Sequence, residues 1–132
     1  MFQKILFLAI AGALGTLARY GLVSLMQKGT TSFLPWGTLS VNLIGCFLGG
    51  LVWAVTEHKF HLSGETRAIV LIGFMGAFTT FSAFIIETSE FMRNAEWIRA
   101  ASNVLMQNVV GAIALFAGFS VGGTLLQKIQ EL

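Results

Sequence analysis

Residues 73–87 read Gly-Phe-Met-Gly-Ala-Phe-Thr-Thr-Phe-Ser-Ala-Phe-Ile-Ile-Glu. Gly73, Gly76, Thr79 and Thr80 stand together where an uninterrupted spanning helix carries Leu and Val. Backbone that leaves the helix at bilayer depth survives only when it is buried in protein or lines a watery cavity. A polar interruption inside an apolar span is therefore the first place to look for an ion or substrate path.

The chain around this stretch is almost all membrane. Of its 132 residues 55% are hydrophobic and 11% charged, against about a quarter charged in a soluble domain. A spanning helix needs about 20 apolar residues, so residues 1–132 hold four spans in a single transmembrane domain with no room for another. The apolar runs place these spans at 5–26, 34–55, 68–92 and 98–126, with Pro35 at the start of the second. The last run is longer than a bilayer requires, so it tilts or emerges at its end. Lys4, the apolar run after it and the small residues up to Gly15 have the look of a secretory signal. The run continues past Arg19 to Met26, however, and is read as the first span.

Several function classes drop out. A net charge of +2 is too small for a nucleic-acid partner, and the lone Cys46 forms neither an internal disulfide nor a metal cluster. His58 and His61 fall in a polar connector, and no nucleophile–base pair or phosphate loop exists, so an enzyme is not expected.

Four spans put the N-terminus, the second connector and the C-terminus on one side of the membrane. Leaving out Arg19 within the first span, that side carries four basic residues, Lys4, Lys59, Arg67 and Lys128, and the other carries three, Lys28, Arg93 and Arg99. The positive-inside rule needs an excess to orient a chain. With an excess of one the chain inserts both ways up, and the natural product is an antiparallel dimer, an inverted repeat without the fusion. Gly45 with Gly49, and Gly118 with Gly122, are small-xxx-small pairs that allow close helix contact in lipid; they either support self-association or are the glycine common to membrane helices generally.

Within the spans, polar residues carry two readings each. Arg19 shares a helical face with Gly12 and Gly15; it either draws an anion into a vestibule or anchors at the interface beside Tyr20. Asn42, one turn after Thr38 and on the face of Gly45, either donates to an anion or glues helices together. Gly73 and Gly76 loosen the third span, Thr79 and Thr80 re-satisfy freed backbone groups, and the exposed carbonyls suit a cation. Phe81 and Phe84 share a face and either turn their positive ring edges to a small anion or simply pack. Glu87 lies one turn further on, and Asn103, Gln107 and Gly111 form a polar stripe on the fourth span.

The strings Gly12-Ala-Leu-Gly-Thr-Leu-Ala-Arg19-Tyr20, Gly37-Thr38-Leu39-Ser40-Val41-Asn42-Leu43-Ile44-Gly45 and Gly76-Ala-Phe-Thr79-Thr80-Phe81-Ser82-Ala-Phe84 resemble the Fluc (CrcB) fluoride channel family, in order and over all four spans. The resemblance implies an all-α membrane protein of the bacterial inner membrane. It would have four transmembrane helices per chain, a break in the third, and a dual-topology antiparallel homodimer with two pores. It implies passive export of cytoplasmic fluoride and a structural sodium ion at the dimer centre, held by backbone carbonyls of Gly76 and Thr79. It places Asn42, Phe81, Phe84, Thr38, Thr80, Gln107, Glu87 and Arg19 along the fluoride path. Gln107, Gly111 and Ala83 stand where the family often has hydroxyl residues. Composition alone does not separate fluoride from chloride or from a small cation; that identity comes from the resemblance.

Two other classes compete. A small proton-coupled multidrug-type exporter also has four spans and dual topology, but it needs a titratable carboxylate deep in the first span, where this chain has Arg19. A structural subunit of a larger membrane complex is the third.

Overall fold

The computed structural model describes residues 2–27, 33–58 and 64–130, all helical apart from short turns. Lys28, Lys59 and His61, used above for charge and loop assignments, lie outside the described residues. Among the described residues four helices are long and apolar enough to cross a membrane: Phe2–Gln27, Trp36–Thr56, Gly64–Arg93 and Trp97–Lys128. Each begins within a few residues of the apolar runs. They extend further at most ends, because flanking polar residues such as Glu65 and Arg67 continue the helical ladder beyond the hydrocarbon.

The spans alternate in direction, and contacts at their ends show it. Lys4 at the start of the first span pairs with Glu65 at the start of the third at 3.8 Å. On the opposite side, the Arg99 guanidinium lies 5.2 Å from the ring centre of Phe33, joining the start of the fourth span to the start of the second. Arg67 stacks on Trp53 at 3.8 Å, a cation–aromatic anchor of the kind found at membrane interfaces.

The second and fourth spans form the tightest pair. Glycine makes this approach possible. A Cβ on Gly118 would collide with the Phe47 carbonyl, and one on Gly50 with the Leu115 carbonyl. Gly122 sits against Ala54 and Leu51. The pair Gly118 and Gly122 thus serves packing within one chain. Gly45 faces the Thr79 methyl, whereas Gly49 faces open space. The expected consequence is a sharp contrast. Gly118→Ala lowers stability by about 2–3 kcal/mol through overpacking, whereas Gly49→Ala is neutral or gains up to about 1 kcal/mol, the helix-propensity difference. Thermal unfolding of the detergent-solubilised protein measures both. Equal midpoints would remove the close-packing account.

The third span is not one uniform helix. Gly64–Ala68 is α-helical, Ile69–Met75 is π-helical, and Gly76–Phe78 adds one further turn. Thr79 (φ −80°, ψ 157°) and Thr80 (φ −147°, ψ 105°) are extended, and an α-helix restarts over Phe81–Arg93. The glycines are not the non-helical residues: Gly76 has φ −63° and ψ −32°. The first span is the least enclosed, with only Gly15 buried, pressed against the Phe74 carbonyl of the third span.

Candidate functional site

Two extended residues in a buried segment leave backbone groups without helical partners, and these need replacements. Asn42 of the second span supplies them. Its Oδ1 accepts from the Thr80 N–H at 2.8 Å, and its Nδ2 donates to the Thr80 carbonyl at 3.1 Å. The amide thereby pairs with Thr80 as a neighbouring strand would. The second Nδ2 hydrogen goes to Gln107 Oε1 on the fourth span at 3.0 Å. Asn42 is therefore glue between three spans, and both of its donors are engaged. Thr80 in turn caps the restarted helix, its Oγ1 accepting from the Ala83 N–H at 3.3 Å. The Thr79 hydroxyl bonds back to the Met75 carbonyl at 2.9 Å.

Successive residues of an extended segment face opposite ways, and here they face two cavities. Thr79 borders a cavity of about 230 Å³ lined by Asn42, Cys46, Phe81, Phe84, Gln107 and Asn108. No charged side chain lines it. Asn42 donates to Gln107 Oε1, and Gln107 Nε2 is buried without a hydrogen-bond partner. The Phe81 and Phe84 rings meet edge to face, with centroids 5.5 Å apart and planes at 64°. Phe84 is 5% exposed and Phe81 73% in the single chain.

Thr80 borders the other cavity, about 520 Å³, whose lining includes Arg19, Tyr20, Thr38, Ser82, Ala83 and Glu87. Arg19 and Tyr20 thus share one cavity wall. The Thr38 hydroxyl donates to the Glu87 carboxylate through Oε1, and Glu87 Oε2 is buried without a partner. A cation, hydroxyls and a carboxylate make this the polar mouth. The other cavity is the apolar, dipole-lined one.

The structure thus brings Asn42, Thr79, Phe81, Phe84 and Gln107 to one side of the extended pair, and Arg19, Thr38, Thr80 and Glu87 to the other. Gly76 is helical and exposed on the surface of the single chain. Gly111 is buried, with its nearest outside neighbour Cys46 Sγ at 3.6 Å from an added Cβ. Cys46, Asn108 and Ser82 join the linings without having been expected there. Gln107 and Asn108 sit in a π-helical turn, Met106–Val110. This wider turn shifts the face of the fourth span that meets the cavity, and π-turns recur at functional sites.

A family model described as CrcB-like protein, Camphor Resistance (CrcB), matches residues 6–119. The chain is similar to the fluoride-specific ion channel FluC of Desulforapulum autotrophicum, 53% identical over 92% of this chain and 98% of that one. The protein of the same name from Nitrosococcus oceani is 50% identical over 92% and 97%, and that of Parabacteroides distasonis 40% over 96% and 98%.

Proposed function

The chain belongs to the CrcB family, and we propose that it is a passive, fluoride-selective channel. It is a multi-pass membrane protein, placed in the inner membrane in bacteria, and not an enzyme. The observation that carries the reading is the uncharged cavity beside the extended pair. A small hard anion must exchange its water for other donors. There it meets the unpartnered Gln107 amide hydrogens and the positive edges of two phenyl rings. No lysine or arginine is present to hold it. A site strong enough to admit an ion yet weak enough to release it is what conduction requires. Arg19 in the wider cavity draws the anion in, and Thr80 and Ser82 add hydroxyl-bearing residues to the same lining.

The finer reading is an antiparallel, dual-topology homodimer with two pores and a structural sodium ion. The basic residues divide four against three between the two faces, and Phe81 and Gly76 are exposed in the single chain. The carbonyls of Gly76 and Thr79 fit a hard cation, which prefers oxygen ligands. In a continuous helix Gly76 would receive the Thr80 N–H, which instead goes to Asn42, and Thr79 would receive the Ala83 N–H, which goes to the Thr80 hydroxyl. Bound there, the ion would hold two such segments together at the axis.

Reconstituted liposomes loaded with fluoride, with efflux read by a fluoride electrode, test the channel, and chloride-loaded vesicles are the counter-test. Fluoride is expected to leave down its own gradient, with chloride retained and with tags on both termini reactive from both membrane faces. Equal passage of the two halides refutes selectivity. Flux that requires a proton gradient would favour a proton-coupled exporter, for which the first span lacks the carboxylate.

A further inference from the structure

Asn103 is 0% exposed, in the middle of an apolar helix pair. Its Nδ2 donates to the Thr88 hydroxyl at 3.0 Å, and that hydroxyl donates to the Phe84 carbonyl at 2.7 Å. A hydroxyl has one proton. With an amide N–H already directed at its lone pair, that proton is committed to Phe84. Two hydrogen bonds in series in a dry interior polarise and stiffen each other.

The amide brings a penalty with it. Asn103 Oδ1 is buried with no partner, and an orphaned acceptor lowers stability. Leucine would fill a similar volume without that loss. Packing alone therefore does not account for an amide here. Its position does. One helical turn later on the same span, Gln107 reaches through Asn42 to Thr80. The fourth span thus holds the restarted helix at two points: at the extended residue just before Phe81, and at the carbonyl of Phe84.

We propose that Asn103, acting through Thr88, is a positioning residue for Phe84, fixing the turn that carries this ring against Phe81 in the ion path. The proposal rests on the channel reading above, in which Phe84 lines that path. Neither Asn103 nor Thr88 touches the ion. They set the placement of a group that does, so their loss changes how well the path fits fluoride rather than how many channels are active.

Fluoride efflux across a range of concentrations, for wild type, Asn103→Leu, Thr88→Val, Thr88→Ser and the Asn103→Leu/Thr88→Val double variant, tests this. Half-saturating fluoride is independent of the fraction of active protein. It is expected to rise about fivefold in Asn103→Leu and in Thr88→Val, the equivalent of one net hydrogen bond. Thr88→Ser, which keeps the hydroxyl, is expected to stay within about twofold of wild type, and the double variant to be no worse than either single one. Unchanged half-saturation in the single variants, or full additivity in the double one, overturns the relay. If a variant passes no fluoride, its thermal midpoint decides: a midpoint at or above wild type supports positioning, and a lowered one overturns it. Wild-type vesicles that pass no fluoride bring down the channel reading itself, and the relay with it.

Discussion

Asn42→Asp is expected to abolish fluoride efflux, by at least about 100-fold, while leaving a folded protein. The substitution changes one NH₂ to one oxygen. The carboxylate can still accept from the Thr80 N–H, as the Asn42 Oδ1 does at 2.8 Å. It cannot donate to the Thr80 carbonyl or to Gln107 Oε1, the two bonds that Nδ2 makes at 3.1 and 3.0 Å. Gln107 has one remedy, to rotate its amide and give its hydrogens to the new carboxylate. That rotation withdraws the unpartnered Nε2 donor from the cavity shared by Phe81 and Phe84. The Thr80 carbonyl keeps the bond that opens the restarted helix but loses the one from Asn42, at roughly 1 kcal/mol. A negative charge now sits in the path of an anion, in surroundings that screen it poorly. A 100-fold loss is about 2.8 kcal/mol, each 1.4 kcal/mol being a factor of ten, and the charge in the anion's path supplies most of it. Efflux from reconstituted vesicles, with elution volume and thermal midpoint as folding controls, measures the effect. A variant that conducts at the wild-type rate would show that the Asn42 amide is dispensable both as scaffold and as lining.

How legible this was beforehand depends on the length scale of the interaction. Four spans follow from apolar run length, a property of each segment alone, and the helices differ from it only by flanking turns such as Gly64–Ala68. The interruption in the third span is legible as a region but not as a residue. Glycine suggested Gly73 and Gly76, yet a glycine in a helix needs no departure from helical angles, and Gly76 keeps them. The extended residues are Thr79 and Thr80, because Asn42, 38 positions earlier, offers the Thr80 N–H a substitute for its lost helical bond and braces the Thr80 carbonyl as well. Nothing in local spacing reveals that pairing. For the same reason Asn42 reads in sequence as equally suited to meeting an anion or joining helices, and only the structure shows its donors committed. The glycine pairs were ambiguous because lipid-facing and chain-facing glycine look alike; Gly118 meets Phe47 of its own chain, while Gly49 meets nothing. Thr88 and Asn103 were legible as polar residues but not as partners, since the bond between them closes across the turn joining the third and fourth spans.

Phe81→Ile is expected to lower fluoride flux by about 100-fold without loss of the fold. Isoleucine keeps a bulky apolar side chain in the lining that Phe81 shares with Cys46 and Gln107. What it lacks is the ring quadrupole, whose positive edge is the only feature of a hydrocarbon that attracts an anion. It also removes the partner against which Phe84 is tilted, at 5.5 Å and 64°. Two aromatic interactions of about 1.5 kcal/mol each are lost, and about 3 kcal/mol on the barrier corresponds to roughly 100-fold. Stability is expected to fall by no more than the ring pair, about 0.5–1.5 kcal/mol, because Phe81 is 73% exposed in the single chain and contributes little else to its core. The same exchange at Phe116 is the control. That residue also pairs with a second ring, Phe119, at 6.1 Å, and is 65% exposed, but it lines neither cavity. Phe116→Ile should leave flux within about twofold, as for a surface substitution. If the two variants conduct alike, the phenyl pair at the extended segment is packing, and the anion must be stripped of its water by the amide and hydroxyl groups alone.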